Sequence, residues 1–320
     1  PSIPIYPRPL ARSDTGTFER QCMILSEASL TMDSTRSPTM NAFTVDVEDG
    51  ISIAMRDRFG KRIPQTERVV TLTRQLLELL ARHQVKGTFF ILGQVGEAFP
   101  ELVREIQSGG HEIGVHGHDH HVFHKLSPHQ AREELYRGKS VLEDITGSRM
   151  RGHRAPAFSI NGATAWVLDL LLELGFEYDS SIMPCQGIGY GWPGQSLDIG
   201  PVTTPAGQQI NEVPLSVASL AGRLVPALGG SYFRLLPASV SRAFFRRIQN
   251  QRPVIMYLHP YEIDPERYPD FYLQELNKAP LKTRLRMRSF WLRRRSLLAR
   301  YDRLLSEFRF GRVADLLPAA

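Results

Sequence analysis

Short apolar runs alternate along this chain with segments in which apolar residues recur every three or four positions. The runs at 41–46, 87–92, 111–116 and 254–258 predict buried strands. Helical spacing, with start and stop signals at the ends, predicts helices over 69–80, 100–110, 127–147 and 161–175. Alternation of strands and helices in this order predicts an α/β architecture with parallel strands.

Two parts of the chain depart from this pattern. Residues 1–40 mix Pro, Ser, Thr and Arg without a period, which predicts a disordered leader whose removal leaves stability and activity nearly unchanged. Met40 is a candidate natural start, and whether the leader is native stays open. Residues 183–230 are richer in Gly and Pro and are predicted to form long loops near the site. Residues 41–320 are predicted to be one domain, with a basic helical extension from about 265.

The composition excludes several classes of protein. An apolar content of 42% with 22% charged residues is that of an ordinary globular protein, so extensive disorder is excluded. Cys22 and Cys185 are too few for a disulfide framework, neither lies in a thiolate zinc motif, and a reducing compartment is favoured. No apolar run approaches the ~18–20 residues of a membrane span, and no secretory signal is recognised, which predicts a soluble, cytoplasmic protein.

The positive charge is concentrated in one C-terminal segment. Residues 282–303 contain nine Lys and Arg against Asp302, so the formal charge of +6 leaves −2 for the rest of the chain. The sequence pI of 9.4 therefore does not indicate nucleic-acid binding. We favour a solvated helical face whose arginine stems cover the barrel. The alternative is that this segment, with Phe290 and Trp291, binds an anionic glycan, a lipid-linked substrate or a membrane surface.

Reactive side chains follow the predicted strands. In α/β barrels the chemistry lies where strands end and loops begin. Packing requirements alone do not explain carboxylates, imidazoles and a guanidinium at these positions. The set consists of Asp46, Glu48 and Asp49 after the first strand, 116–121 after the third, Arg154 after the next and His259 after a late one.

Six of the ten histidines lie between His111 and His124. His116 and His120 are four residues apart, as are His120 and His124, and this spacing lets one turn or tight loop present two rings to one point. Two imidazoles and a carboxylate hold zinc and similar metals while leaving positions open for water and substrate. The spacing alone leaves open a polar, histidine-rich loop without a metal.

Five ordered motifs resemble those of the polysaccharide deacetylases, the nodulation-type carbohydrate esterases of family 4. The most specific is the segment 110–120, which contains the family's His-x-x-x-His pattern as His116 and His120. The segments 229–237, 257–264 and 308–311 resemble the exosortase-associated subgroup of bacterial exopolysaccharide loci. The remaining motifs are Thr44-Val-Asp46, Arg154-Ala-Pro156, Tyr178-Asp179-Ser-Ser and Leu258-His259, and Thr88-Phe-Phe90 resembles the family's barrel strand.

The resemblance implies a distorted (β/α) barrel that removes acetyl groups from N-acetylhexosamine in an oligo- or polysaccharide. It implies one divalent metal ion, zinc in the first place and cobalt, nickel or manganese as alternatives, held by His116, His120 and a first-motif carboxylate. The resemblance implies that Asp46 is the general base and that Arg154 orients it. It implies that His259, held by Asp179, protonates the leaving amine and that the amide after Pro156 stabilises the oxyanion. The residues implied to contact substrate are Pro156, Phe158, Trp192 and Leu258.

The sequence departs from the family pattern at three points. Val47 stands where the second aspartate is usual, so Glu48 or Asp49 replaces it, and we favour Asp49 because a short side chain in a turn imposes closer geometry. Ala157 separates Pro156 from the aromatic residue of the third motif. The fourth motif lacks its tryptophan, for which Trp192 is the candidate substitute in the acetyl pocket.

Several residues also have purely structural interpretations. Arg154 could bridge two loops, and Asp179 could cap a turn. His118, His121 and His124 are expected to be solvated loop residues. Cys185 is expected to be a buried apolar residue, because no motif places a base beside it.

Two other functions stay open. One is an amidase of the same barrel that acts on a non-polymeric linear or cyclic amide. The other is a glycan-binding protein that has lost catalysis through the altered first motif. Oligomeric state and the identity, linkage and length of the glycan are not predicted.

Overall fold

The structure is a computed structural model and describes residues 39–187, 190–289 and 292–318. The predicted leader, apart from its last two residues, lies outside the described residues, as do Phe290 and Trp291. The strands are β1 Asn41–Val47, β2 Thr88–Ile91, β3 Glu112–Val115, β4 Gly152–His153, β5 Tyr178–Asp179, β6 Gly200–Thr203, β7 Gln209–Glu212, β8 Val217–Leu220, β9 Arg223–Pro226, β10 Ile255–Leu258 and β11 Phe310–Gly311.

Eleven α-helices are present in the described part of the chain, and several short 3₁₀ turns link them to the strands. None of these helices is long and apolar enough to cross a membrane. The helices are α1 Gly50–Phe59, α2 Glu67–Arg82, α3 Gly93–Ala98, α4 Pro100–Ser108, α5 Pro128–Thr146, α6 Trp166–Glu173, α7 Gly230–Leu235, α8 Ala238–Gln249, α9 Asp270–Lys278, α10 Leu281–Ser289 and α11 Leu297–Glu307.

One nine-stranded sheet organises the molecule. Its order is β10-β1-β2-β3-β4-β5-β7-β6, with β11 paired to the start of β1, and every pairing is parallel except that of β6 with β7. The predicted α/β class with parallel strands is therefore confirmed, as a curled half-barrel. Because neighbouring strands are parallel, the carboxyl ends of β1, β3, β4 and β10 lie at the same edge of the sheet.

The strand patterns follow from burial. All seven residues of β1 are buried, because β10 and β2 flank this strand and helices cover it, and this explains its nearly continuous apolar run. On α2, the predicted stripe of Val69, Leu72, Leu76 and Leu80 is buried in the main core. The strand and helix of this first β–α unit therefore lie where the periodicity predicts them.

Helix α5 begins and ends at its sequence signals. The Ser127 hydroxyl accepts the Gln130 N–H at 3.3 Å, and the Gln130 side chain accepts the Ser127 N–H at 2.9 Å, which completes the predicted capping box. Pro128 occupies the first turn, and Gly147 ends the helix with a left-handed φ of 62°. This helix faces the histidine-rich loop after β3.

Two expectations about secondary structure are wrong. Residues 183–230 are not merely loops, because they contain β6, β7, β8 and β9, which form two antiparallel hairpins. Helix α6 begins at Trp166 and not at 161, since residues 161–165 form a turn in which the Asn161 N–H donates to Thr164 Oγ1 at 2.9 Å. Turn-forming side chains here compete successfully with the helical pattern.

Helix α11 belongs to the main core. Its Tyr301 ring lies edge-on to Phe43 of β1, with ring centroids 6.0 Å apart, and is stacked on Phe233 at 5.0 Å. Leu304 and Leu305 are buried in the same cluster. The last helix of the basic segment thus packs directly on the central strand of the sheet.

Candidate metal centre

Three side chains from the carboxyl ends of β1 and β3 converge on one point. Glu48 Oε2 lies 2.9 Å from His120 Nε2 and 3.5 Å from His116 Nε2, and the three ligand atoms all lie within 4.8 Å of one another. Glu48 and His116 are buried, and His120 is mostly covered. Zinc held at ~2.0–2.1 Å by such atoms in a tetrahedral arrangement separates them by roughly 3–3.5 Å, so this spacing fits a divalent cation.

The hydrogen bonding of the cluster also fits a metal. His116 Nδ1 lies 2.8 Å from the Arg154 carbonyl oxygen, which can only accept, so Nδ1 donates and Nε2 keeps its lone pair for a ligand. Glu48 Oε2 is buried, and the groups that face it are the imidazole nitrogens of His120 and His116. A buried carboxylate oxygen facing two imidazole nitrogens is the donor set that a zinc-like cation requires.

The imidazoles also keep Glu48 ionised. Burial alone would raise the pKa of Glu48, but His120, His259 and His116 outweigh it and hold that pKa well below its usual value. Glu48 is therefore a carboxylate at neutral pH, as a metal ligand must be.

We call residues 116–121 the metal-site loop, and its shape depends on Glu134 of α5. Glu134 Oε1 accepts the backbone N–H groups of His118 at 3.0 Å, Asp119 at 2.6 Å and His121 at 3.4 Å. Gly138, one turn further along α5, also lies against the metal-site loop. A Cβ atom at this position would lie 2.5 Å from the Gly117 carbonyl oxygen. The loop can approach α5 only because this position has no side chain.

Backbone conformation completes the loop. Gly117 has a φ of 76° and His120 a φ of 57°, both in the left-handed region. Such a conformation is uncommon for a residue with a side chain and costs about 1–2 kcal/mol. Here it turns the His120 ring back toward His116, with ring centroids 5.6 Å apart. The histidine pair thus converges through a tight loop and not through a helical turn.

Asp49 lies outside this cluster, which reverses the preference for it as the third ligand. Its Oδ1 accepts the Ile51 N–H at 2.9 Å and its Oδ2 accepts the Thr66 N–H at 2.6 Å. Asp49 is the N-cap of α1, and both of its oxygens are occupied by backbone donors. Glu48 is free to turn toward the histidines because it precedes the cap.

Asp46 and Arg154 form a buried ion pair beside the cluster. Arg154 Nη1 lies 2.8 Å from Asp46 Oδ1 and 2.6 Å from Thr44 Oγ1, and both charged residues are almost wholly buried. Two further bonds fix the guanidinium, from Nε to the Ser180 carbonyl at 2.9 Å and from Nη2 to Ser180 Oγ at 2.8 Å, while Phe90 covers its face at 4.2 Å. These contacts hold the Arg154 guanidinium in place beside Asp46.

His259 faces the carboxylates from the adjacent strand. Because β10 pairs with β1 through Leu258 and Val45, the next residue, His259, reaches the same edge. Its Nε2 lies 3.8 Å from Asp46 Oδ2 and 3.7 Å from Glu48 Oε1. Burial disfavours the imidazolium, but the charges of Glu48, Glu262 and Asp46 prevail and raise the pKa of His259 to about 9.

The carboxylate that holds His259 is Glu262, and not Asp179 as expected. Glu262 Oε2 lies 3.3 Å from His259 Nδ1 and accepts the His259 N–H at 3.2 Å. Glu262 is itself buried, with Arg234 Nε 3.8 Å from its other oxygen. Glu262 follows His259 by three residues, and the 3₁₀ turn Pro260–Ile263 brings its side chain back to the ring.

Asp179 pairs with a different histidine. It stands beside His153 in the β4–β5 register, and its Oδ1 lies 2.7 Å from His153 Nδ1 and accepts the Ser181 hydroxyl at 2.7 Å. Burial and the Asp179 charge raise the pKa of the neighbouring Glu212 well above its usual value. Asp179 thus belongs to a buried polar network between strands, which is neither the expected histidine clamp nor a simple turn cap.

The four expected substrate contacts have different surroundings. Pro156 begins a 3₁₀ turn in which Ala157 and Phe158 both have a φ of 51°, and Ala157 is exposed beside Pro156. Phe158 is buried and lies edge-on to Tyr257 at 4.8 Å. The remaining two are Leu258, which is fully buried in the main core, and Trp192, which is partly buried beside Gly162.

The other loop histidines differ from one another. His118 is buried, which contradicts the expectation of a solvated residue, and its Nε2 lies 3.4 Å from Asp119 Oδ1. His121 is partly buried and its Nδ1 lies 3.1 Å from Glu134 Oε2. His124 is exposed, as expected. Cys185 is buried, and burial raises the pKa of its thiol to about 11, which agrees with an apolar role and not with a nucleophile.

Sequence reasoning missed the carboxylates that support the site. Glu134, Glu262 and Glu212 are each at least nine-tenths buried, although glutamate is rarely buried unless paired. For Glu262 the signal was available, since it lies three residues after His259 and next to a proline turn. Nothing local distinguishes Glu134 from the exposed glutamates of the same helix.

Two family models match this chain in succession. Residues 63–178 match the model described as polysaccharide deacetylase, and residues 180–318 match one described as a domain of unknown function, DUF3473. The first match includes His116, His120 and Arg154, and the second includes His259. A buried carboxylate and two histidines at the edge of a parallel half-barrel are a donor set that suits a divalent cation. Residues 63–178 thus resemble the polysaccharide deacetylases.

Relatives with known names match about a third of the chain. The peptidoglycan deacetylase of Helicobacter pylori is 32% identical over 109 residues, which are 34% of this chain and 36% of that protein. The peptidoglycan-N-acetylglucosamine deacetylase of Bacillus cereus is 31% identical over 126 residues, or 39% of this chain and 43% of that protein. The matched region thus spans less than half the length of these relatives.

The likeness to solved structures extends over more of the chain. A crystal structure from Mycobacterium smegmatis, assigned to the polysaccharide deacetylases, aligns with a TM-score of 0.57 at 22% identity. It covers 88% of this chain and 90% of that one. At this identity the likeness establishes the fold alone, which is the curled parallel half-barrel.

Proposed function

We propose that this protein is a metal-dependent deacetylase that hydrolyses the acetamide group of N-acetylhexosamine units in a glycan. The observation that carries the proposal is the convergence of Glu48, His116 and His120 beside the Asp46–Arg154 pair, with His259 close to Asp46 and Glu48. The polysaccharide deacetylase match over 63–178 supports it, as do the named activities of the H. pylori and B. cereus relatives.

Glu48, His116 and His120 would hold the cation. A divalent metal at such a site acidifies water and polarises the amide carbonyl. Zinc fits two imidazoles and one carboxylate best, and cobalt, nickel and manganese are the alternatives.

Asp46 acts as the general base in this proposal. Its Oδ1 is occupied by Arg154 at 2.8 Å, so Oδ2, which faces the cluster and His259, is the oxygen that takes a proton from the attacking water. The four hydrogen bonds of Arg154 keep its guanidinium in one orientation beside Asp46.

His259 acts as the general acid. Its Nε2 lies 3.8 Å from Asp46 Oδ2 and 3.7 Å from Glu48 Oε1, and it would carry the proton for the departing amine. Glu262 positions the ring through Nδ1. The backbone after Pro156, where Ala157 is exposed, is the proposed donor to the developing oxyanion.

The exopolysaccharide subgroup remains part of the proposal. It is supported by the segments 229–237, 257–264 and 308–311, and these fall in the region matched by the second family model. The substrate would then be a bacterial exopolysaccharide or its precursor.

Acetate release tests the proposal. The full chain is incubated with a panel of N-acetylated glycans after chelation and after addition of one equivalent of zinc. We expect acetate from at least one glycan, lost on chelation and restored by metal. Glycan binding without acetate release in the presence of metal would support the inactive binding protein instead. Release only from small amides would support the non-polymeric amidase.

A further inference from the structure

A cavity lined by arginines lies next to the proposed active site. It has a volume of about 490 Å³ and is formed by two segments, 264–267 and 293–296. Four guanidinium groups line it, and we call it the arginine cavity. The lining residues are Asp264, Pro265, Glu266, Arg267, Arg293, Arg294, Arg295 and Ser296.

The two carboxylates of the cavity are engaged elsewhere. Arg68 of α2 donates to Asp264 Oδ2 at 2.9 Å and to Glu266 Oε2 at 2.8 Å. Arg68 supplies one positive charge against these two acids, so the four lining guanidinium groups still leave an excess of positive charge. The Arg267 guanidinium lies 3.7 Å from Asp270 with both side chains more than three-quarters exposed, which is a weak pairing.

The backbone fixes how the arginines are presented. Arg293 has a left-handed φ of 62° and donates from Nη1 to the Leu235 carbonyl at 3.1 Å. Arg294 is buried, donates to the Tyr268 hydroxyl at 2.8 Å and lies 5.3 Å from the centre of that ring. Arg293, Arg295 and Arg267 are exposed, and of these Arg293 is anchored by its bond to Leu235.

The amino end of α11 points at the same place. Ser296 is the N-cap of this 11-residue helix, and its hydroxyl donates to the Arg293 carbonyl, so it does not cap the first turn. A helix amino terminus favours negative charge, and here the cavity and the arginines coincide with it.

Contacts of the Tyr261 ring connect the cavity to His259. Tyr261 is stacked on His259 with ring centroids 4.9 Å apart, and the Arg294 guanidinium lies 6.0 Å from the Tyr261 ring centre. Asp264 follows His259 by five residues, and five residues span at most ~18 Å even when fully extended. The edge of the cavity at Asp264 therefore lies within ~18 Å of His259, a distance that a few sugar units can cover.

We propose that the arginine cavity binds an anionic group, a carboxylate or a phosphate, carried by the glycan near the acetamide that is hydrolysed. This inference rests on the proposed function for its substrate, but the cavity itself can be tested without catalysis. Guanidinium groups bind both oxyanions through paired N–H donors. The substrate class is therefore an acidic N-acetylated glycan and not a neutral one.

Binding of two small anions tests the cavity directly. Inorganic phosphate and glucuronate are titrated into the full chain by isothermal calorimetry at low ionic strength. The Arg267→Gln/Arg295→Gln variant removes two charges and keeps polar stems of similar reach, and Arg247→Gln on α8 removes one exposed charge outside the cavity. We expect the double variant to raise the dissociation constant of the preferred anion roughly tenfold, or about 1.4 kcal/mol. The control is expected to match the wild type.

Acetate release supplies the second arm. With a glucuronate-containing N-acetylated oligosaccharide, the double variant is expected to raise KM roughly tenfold at unchanged kcat. With a neutral N-acetylglucosamine oligomer both constants should stay at the wild-type values. The anion that binds more tightly distinguishes a carboxylate from a phosphate.

The outcomes separate the two proposals. Absence of anion binding to the wild type, equal binding by the double variant, or equal weakening by Arg247→Gln would each overturn the anion site. If no glycan releases acetate while anion binding still depends on Arg267 and Arg295, the site stands and the deacetylase proposal fails.

Discussion

Replacing Arg154 by methionine removes a buried guanidinium while keeping a long unbranched side chain. The substitution leaves Asp46, which is 1% exposed, without its ion-pair partner. It also removes the bonds to Thr44 and Ser180. Because a buried carboxylate cannot recover these contacts from water, the loss is much larger than for a surface pair.

The magnitude follows from the contacts. Breaking a buried ion pair by removing one partner costs about 3–5 kcal/mol, and each lost bond to a neutral partner adds about 1 kcal/mol at most where the partner cannot pair again. We therefore expect Arg154→Met to lower the free energy of unfolding by about 4–6 kcal/mol. Arg154→Lys keeps the charge but not the planar fork, so its cost should be smaller.

Urea unfolding of a double-mutant cycle measures the pair itself. The cycle contains the wild type, Arg154→Met, Asp46→Asn and the double variant. If the unpaired charge of Asp46 is the main cause of the destabilisation by Arg154→Met, that substitution should lower the free energy of unfolding by about 2–3 kcal/mol less in the Asp46→Asn background. A coupling energy below about 0.5 kcal/mol would refute the reasoning, because the two residues would then act independently.

Three further predictions concern the supports of the site. Glu48→Gln should abolish most metal binding measured by elemental analysis, whereas Asp49→Asn should keep the metal and lower the free energy of unfolding by about 1 kcal/mol, as expected for a helix cap. Gly138→Ala should weaken metal binding and lower that free energy by about 1–3 kcal/mol, because its methyl group meets the backbone of the metal-site loop. Burial, with a contribution from a nearby lysine charge, lowers the pKa of His111 to about 4, and His111 Nδ1 accepts the Gly87 N–H. Because the folded protein disfavours the protonated ring, the free energy of unfolding should fall by up to about 3 kcal/mol as pH drops from ~6.5 to ~4.

Each of these predictions has a contrary result. Full metal content in Glu48→Gln, with loss in Asp49→Asn, would restore Asp49 as the ligand. Wild-type metal affinity in Gly138→Ala would mean that the loop does not need this close contact. For His111 the control is His111→Asn, which retains an acceptor. An equal loss of stability in that variant between pH 6.5 and 4 would assign the pH dependence to other groups.

The strands and helices that were predicted correctly are those whose position depends on residues close together in the sequence. Strand β1 and helix α5 have sharp boundaries because a buried apolar run ends in Asp46-Val-Glu48 in one case and a capping box opens the other. The hairpins of β6 to β9 were missed because their residues alternate weakly and their pairing partner lies across a turn.

The partners of the site residues depend on strand order, which no local pattern contains. Asp179 stands beside His153 because β4 and β5 are neighbours, whereas β10, which carries His259, lies four strands away from β4 in the sheet order. Glu48 and Asp49 differ by one position, and the choice between them depends on which residue caps α1. The Asp49-Gly-Ile51 sequence is typical of a helix start and could have indicated that cap.

The central claim is that Asp46 is a base beside a metal centre to which it does not contribute a ligand. The measurement that tests it most directly is the acetate-release rate per bound metal ion in Asp46→Asn, with the metal content measured on the same sample. Asparagine keeps the size and removes the proton acceptor, so we expect one metal ion per chain and a turnover lowered by roughly 10²–10⁴-fold. Loss of the metal would make Asp46 a ligand, and full activity with bound metal would show that another group is the base.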